Sequence, residues 1–224
     1  MKGKINEIFD SVQGEGVYVG ERQLFVRLAG CNIKCAFCDT DTSRFKEYEP
    51  QEALDELKKF KGHVHSISFT GGEPLMQKDF LGELMRLTRK AGWRNYLETN
   101  GILFEEMREL SWLVDFVAMD LKLPSSTGLR GYWGEHRDFL AACGPSEVFL
   151  KAIICDTTRE EDVFESIKLI KEQRSGAILV LQADSNSKDP KMVGMIIESF
   201  RMLCRRSGIA VCAIPQMHKI IGLK

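Results

Sequence analysis

The chain has 224 residues, a formal net charge of -1 and 44% hydrophobic side chains. So small a charge provides no basic field for nucleic acid, and no stretch approaches the roughly 18 apolar residues that cross a bilayer. The N-terminal residues have neither an apolar core nor a small-residue cleavage site. A cytoplasmic protein with no nucleic-acid or membrane partner is expected.

Short β-rich runs alternate with amphipathic helical stretches along the chain. Strands are expected at 23–28, 64–69, 95–99, 115–120, 147–154, 177–182 and 209–214. Helices are expected at 51–60, 79–92, 103–114, 136–143, 159–173 and 190–208; in the fifth, Val163, Ile167 and Ile170 recur at helical spacing. This alternation predicts an α/β fold with a mainly parallel sheet and right-handed crossovers. About seven strands suit an incomplete (β/α) barrel better than a full eightfold one. No linker or shift in composition divides the chain, so 1–224 is read as one domain.

Polar and glycine-containing segments follow the strands: the cysteine cluster, then TGGEP, TNG, LKLPSS, QADS and PQMHK. Parallel α/β folds build their sites at these carboxyl ends of strands, so one site assembled from many loops is expected.

Three of the seven cysteines, Cys31, Cys35 and Cys38, fall within CNIKCAFC. Cys155 and Cys212 sit in apolar runs and read as core, while Cys143 and Cys204 read as helix residues without special chemistry. Structural zinc and ordinary iron–sulfur centres take four protein ligands. Three thiolates on a [4Fe–4S] cluster leave one iron open to an outside chelator. Zinc with His63, His65, His136 or His218 as fourth ligand competes with this reading, as does a cluster completed by a remote residue. Gly71-Gly72-Glu73-Pro74 alone is only a turn, though its glycines let backbone approach a ligand closely.

C-x3-C-x2-C after a strand, with Phe37 before the third cysteine and GGEP at the next strand end, resembles the radical S-adenosylmethionine superfamily. SVQGEG, FVRLAGCN, CDTD, TGGEPL, LETNG, DLKLPS, LQ and QMHKIIGLK extend the resemblance over nearly the whole chain. Together they are similar to the 7-carboxy-7-deazaguanine synthase family. The resemblance implies an incomplete, elaborated (β/α)6-type partial TIM barrel that acts as a homodimer. It implies a lyase of 7-deazapurine (queuosine-type) biosynthesis that turns 6-carboxy-5,6,7,8-tetrahydropterin into 7-carboxy-7-deazaguanine with loss of ammonia. A [4Fe–4S] cluster, S-adenosyl-L-methionine, Mg2+ and an external electron donor of the flavodoxin or ferredoxin type come with it.

The same resemblance distributes roles. Segment 1–30 would bind substrate and form the first strand, 31–40 would be the cluster and magnesium loop, and 216–224 a tail capping the substrate. Cys31, Cys35 and Cys38 would ligate the cluster and Thr40 the Mg2+. S-adenosylmethionine would meet Phe37, Cys38, Asp39, Gly72, Glu73, Asp120, Leu121, Lys122 and Gln182. Substrate would meet Val12, Gln13, Gly14, Glu15, Arg27, Thr70, His218 and Lys224. No residue is assigned as general base.

Several of these positions have a plainer reading as well. Arg27 lies in an apolar strand and needs a partner; a substrate carboxylate fits its fork, and a structural ion pair would serve too. Lys122 at a strand end could simply be solvated, His218 simply buried, and Glu98 paired with a neighbour. QADS departs from the family's QPM, which leaves contacts after Gln182 open. A glycyl-radical-enzyme activase shares the cysteine spacing, and a non-catalytic iron–sulfur or zinc regulatory module is the alternative from another class.

Overall fold

The computed structural model describes residues 1–38 and 43–222, with the backbone alone at 218 and 219. The chain opens with strand β1 (Gly3–Val12), which returns antiparallel as β2 (Arg22–Leu28) and pairs on its other side with the short β3 (Lys46–Tyr48). The order then becomes α1 (Pro50–Leu57), β4 (Ser66–Gly71), α2 (Lys78–Lys90), β5 (Asn95–Thr99), α3 (Phe104–Leu110) and β6 (Phe116–Asp120). It continues through α4 (Pro124–Thr127), α5 (Trp133–Ala142), β7 (Glu147–Ile154), α6 (Glu160–Gln173) and β8 (Leu179–Ala183). Helix α7 (Pro190–Arg206), β9 (Val211–Ala213) and α8 (Met217–Ile221) complete it. The nine strands of the described residues form one open sheet in the order β3-β1-β2-β4-β5-β6-β7-β8-β9, parallel from β2 onward.

All seven expected strands are present. β1 and β3 were not expected. β1 escaped the reading because its alternation breaks: the register with β2 slips between Ile5 and Glu7. This bulge re-aims the strand. Ile5 and Ile8 join the outer core, whereas Glu7 and Phe9 stand opposite Arg27 and Phe25 on the inner face.

The helices are set by local signals. Glu49 and Glu52 form a capping box before α1, and Asp189 accepts from Met192 N at 2.9 Å with Pro190 opening α7. Their apolar faces pack on the outer side of the sheet, against Leu24, Val26, Leu28, Ile67, Phe69, Val117, Leu150 and Leu181 among others.

The inner side of the curled sheet has two layers. Its floor is apolar: Tyr96, Phe116, Ala118, Phe149 and Val180, capped by Val17 and Tyr18 from a short 3-10 turn. Gly16 makes that turn at φ +70, and a Cβ there would lie 2.4 Å from the Phe149 ring. Tyr18 then donates to Glu147 Oε1 at 2.5 Å. Two residues further along each strand the inner face turns polar, and there the site begins.

Candidate functional site

The upper inner layer consists of Arg27 on β2, Thr70 on β4, Glu98 on β5, Asp120 on β6 and Lys151 on β7, all lining one pocket. Cys31, Cys35 and Cys38 border the same pocket, as do Gly71 and Gly72 at the end of β4. The sheet curls far enough for Phe9 of β1 and Ala183 of β8 to share this cavity. Met217 N, beyond β9, reaches Gly14 O at 2.9 Å.

The cysteine loop is seated by close backbone contact. Glu73 N donates to Gly30 O at 2.8 Å and Gly72 N to Leu28 O at 3.1 Å. A Cβ on Gly72 would fall 1.9 Å from Gly30 O and 3.1 Å from Cys31 Cβ, so only glycine permits the approach. Asn100 Nδ2 ties the loop to the end of β5 by donating to Asn32 Oδ1 at 2.7 Å. Enclosure by the pocket walls pushes the Cys31 and Cys35 thiols above their ordinary value, and Lys122 acts against this at both.

The QGEG loop stands across the pocket. Gln13 is buried and donates to Gln23 Oε1 at 3.0 Å and Glu98 Oε1 at 2.9 Å, while Thr70 donates to Glu98 Oε2 at 2.9 Å. Glu98 therefore pairs with its neighbours and links the loop to β4. Glu15 receives Lys151 Nζ on Oε2 at 2.6 Å and Gln216 Nε2 on Oε1 at 2.6 Å. Burial raises its pKa, but the Lys151 charge and these donors outweigh that and bring it to about 2.

Lys151 also lies 3.4 Å from Asp120 Oδ1, and Lys122 Nζ donates to Asp120 Oδ2 at 2.9 Å. Burial works against the Asp120 charge, yet the two lysines hold its carboxyl below the ordinary value. The Lys122 ammonium is largely buried beside the Phe37 ring, 5.8 Å from its centroid, rather than solvated. Arg27 donates from Nε to Glu7 at 3.0 Å and lies over the Phe9 ring, so the structural ion pair expected as one alternative is present. Arg27 lines the pocket as well.

Most of the expected contacts converge here: Val12, Gln13, Gly14, Glu15, Arg27, Phe37, Cys38, Thr70, Gly72, Asp120 and Lys122 all border the pocket. Three do not. Glu73, expected at the cofactor, is fully buried beneath the wall; its carboxylate accepts from Leu75 N, Thr99 Oγ1 and Asn100 N at 2.8–3.1 Å. It fastens the end of β4 to the end of β5. The Leu121 side chain belongs to the outer core, one residue out of phase with Asp120. Gln182 is fully buried, and its amide lies beside Glu15, where it helps to keep that carboxylate ionised. Asp39, Thr40 and Lys224 lie outside the described residues, as does the His218 side chain.

The sequence reading overlooked Lys151 and Gln216. Lys151 had a signal, since a lone charge inside FLKAII raises the same question as Arg27. Gln216 had none: its role appears only where the tail meets the QGEG loop.

The donor set fits an iron–sulfur cluster. Three thiols from one eight-residue stretch open onto a single cavity, beside a glycine pair that admits no side chain. Two of the histidines considered for zinc lie elsewhere: His65 packs on Tyr18 and Phe116 at the floor, and His136 is buried against Asn100 O. Among the described residues no histidine lines the pocket.

Residues 26–190 match the Radical SAM superfamily. The 7-carboxy-7-deazaguanine synthase of Geobacter sulfurreducens is 30% identical over 98% of this chain and 97% of that protein. That of Thermococcus kodakarensis is 34% identical over 97% of each, and that of Archaeoglobus fulgidus 32% over the full length of both. Among solved structures, QueE from Escherichia coli has a TM-score of 0.64 at 20% identity, covering 95% of this chain and 94% of that one. The anSMEcpe structure with bound AdoMet has a TM-score of 0.58 at 21% identity, covering 82% and 58%. At these identities the structures speak to the fold, a partial barrel with an unclosed sheet. Three cysteines and a glycine pair at adjacent strand ends, on a chain that aligns end to end with these relatives, place it in the radical SAM superfamily and, within that, in the 7-carboxy-7-deazaguanine synthase family.

Proposed function

We infer that this chain is a radical SAM lyase that converts 6-carboxy-5,6,7,8-tetrahydropterin to 7-carboxy-7-deazaguanine with loss of ammonia. The observation that carries this reading is one pocket bordered on one side by the cysteine loop and on the other by the QGEG loop and tail. When bound, a [4Fe–4S] cluster with S-adenosylmethionine supplies the radical chemistry that begins the ring rearrangement. Cys31, Cys35 and Cys38 would hold that cluster, and Gly72, Phe37, Asp120 and Lys122 would line the place of S-adenosylmethionine.

The remaining side chains bind and orient. The Arg27 guanidinium, fixed through Nε by Glu7, turns its fork to the substrate carboxylate. Glu15 accepts from the amino-pyrimidine edge: an ionised carboxylate offers about four lone-pair sites, of which Lys151 and Gln216 take two. Gln13, Thr70 and Glu98 are already hydrogen-bonded to one another and give the pterin a rigid polar wall. Enclosure by the floor residues keeps water from the reacting centre, so the protein works by positioning. Proton transfer is assigned to no side chain.

Thr40 would hold Mg2+, which would supply positive charge to the oxygens of the substrate. Residues 216–224 cap the substrate, with His218 and Lys224 as contacts; Met217 and Gln216 hydrogen-bonded to the QGEG loop support this. Leu121 would meet the cofactor only through its backbone, and Gln182 would act through the Glu15 carboxylate. A flavodoxin- or ferredoxin-type protein delivers the electron in the cytoplasm. Exposed Met192, Met195 and Met202 along one face of α7 support a homodimer. Anaerobic incubation of reconstituted protein with dithionite, S-adenosylmethionine, Mg2+ and 6-carboxytetrahydropterin tests the function. The deazapurine should appear; S-adenosylmethionine cleavage without it would assign another substrate.

A further inference from the structure

We propose that Lys151 is a positioning residue for the pterin, holding the Glu15 carboxylate ionised and aimed into the pocket so that it accepts two N–H donors from the substrate. This rests on the reading of Glu15 as the acceptor for the amino-pyrimidine edge.

Lys151 lies in the middle of β7, and only 5% of its side chain is exposed. A buried ammonium is tolerated only when paired. Here the pairing is double, with Glu15 Oε2 at 2.6 Å and Asp120 Oδ1 at 3.4 Å. Glu15 comes from a loop rather than a strand, and its other side-chain partners, the Gln216 and Gln182 amides, are neutral. Without the Lys151 charge, the enclosing protein would drive Glu15 toward its neutral form. A carboxyl carrying a proton presents a donor where the pterin also presents donors, so one of two hydrogen bonds would become a clash of like groups. The lysine's contribution thus reaches the substrate through Glu15. Asp120 needs Lys151 less, since Lys122 holds its other oxygen.

A double-mutant cycle tests this in the cluster-reconstituted protein with S-adenosylmethionine present and no reductant, so that binding is read apart from turnover. The dissociation constant of 6-carboxy-5,6,7,8-tetrahydropterin is measured for the wild type, Glu15→Gln, Lys151→Met and the double variant, with iron content and melting temperature recorded for each. Glu15→Gln and Lys151→Met should each weaken binding about 10- to 100-fold, the range of a charge-assisted hydrogen bond. The double variant should be no weaker than the poorer single within about 2-fold. Lys151→Arg keeps the charge but not the ammonium geometry; it should recover about half of the logarithmic loss. If Lys151→Met loses its cluster or its fold, the same cycle run with Lys151→Arg decides, with a smaller but equally non-additive effect expected. Unchanged pterin affinity in Glu15→Gln would overturn the Glu15 reading and the inference with it. A weakened Glu15→Gln beside unaffected Lys151 variants, or effects that simply add, would overturn the inference alone.

Discussion

Replacing Gly72 by alanine puts the seating of the cysteine loop to a direct test. The residue is not at positive φ, so the substitution acts through space and not through backbone strain. The new Cβ would lie 1.9 Å from Gly30 O, and ordinary contact begins at 3.4 Å. The β4 end and the Gly30 carbonyl must therefore separate by about 1.5 Å, the difference between those two distances. The obstacle is backbone on both sides, so no side chain can swing away. A displacement of that size breaks the 2.8 Å bond from Glu73 N to Gly30 O and strains the 3.1 Å bond from Gly72 N to Leu28 O. Buried hydrogen bonds left unmade cost about 1–3 kcal/mol each, so a loss of about 3 kcal/mol is expected. For a domain of this size that is about 6–12 °C in melting temperature. Cys31, whose Cβ would be 3.1 Å from the new methyl, moves with the loop, and iron incorporation should fall with stability. Thermal melts of the apoprotein and iron analysis after anaerobic reconstitution measure both. Gly194→Ala, mid-helix in α7 with open space around it, is the control and should stabilise by about 0.5–1 kcal/mol. If Gly72→Ala melted within 2 °C of wild type and bound its full iron, close backbone approach would not be what seats the loop.

Alanine at any one of Cys31, Cys35 or Cys38 should abolish the visible absorption and most of the iron of reconstituted protein. Cys212→Ala, on β9 away from the pocket, should retain both. Glu73 supplies a pH dependence: burial outweighs its hydrogen bonds and lifts its pKa from 4.5 to about 7. Between those values the folded chain keeps a proton that the unfolded chain has released, so its contribution is full below pH 4.5 and declines as pH rises to 7. Apoprotein melts should show wild type losing about 2 kcal/mol relative to Glu73→Gln between pH 5.5 and 7.5; parallel profiles would refute this. Arg27→Lys keeps the charge but loses the fork, and should weaken pterin binding about 10-fold or more, read by titration without reductant.

Much of this was legible because the chemistry repeats a short grammar. Along the inner face, Phe25-x-Arg27, Tyr96-x-Glu98, Ala118-x-Asp120, Phe149-x-Lys151 and Val180-x-Gln182 each step from an apolar to a polar or charged residue at strand period two. The apolar members other than Phe25 form the floor, and the polar members other than the buried Gln182 line the pocket above it. Arg27 was noticed on these grounds and Lys151 was not, although the signal is the same. Glu73 misled for a physical reason: a motif shows that a carboxylate sits at a strand end but not which way it points, and here three backbone and hydroxyl donors turn it inward. The clasp of Gln216 and Met217 on the QGEG loop joins residues some two hundred positions apart. No local pattern encodes such a contact.

The slip in β1 between Ile5 and Glu7 has a bearing on how this protein can vary. A strand with strict alternation would send Ile5, Glu7 and Phe9 to the same side. The extra residue lets a single ribbon put Ile5 and Ile8 among the helices and still hand Glu7 to Arg27. Straightened with Asn6 still in line, the ribbon would turn Glu7 to the side of Ile5, pushing a carboxylate into hydrocarbon and taking the brace from the guanidinium. Without Asn6 a regular ribbon would keep both allegiances, so the chain can shed that residue but cannot iron out the bulge around it.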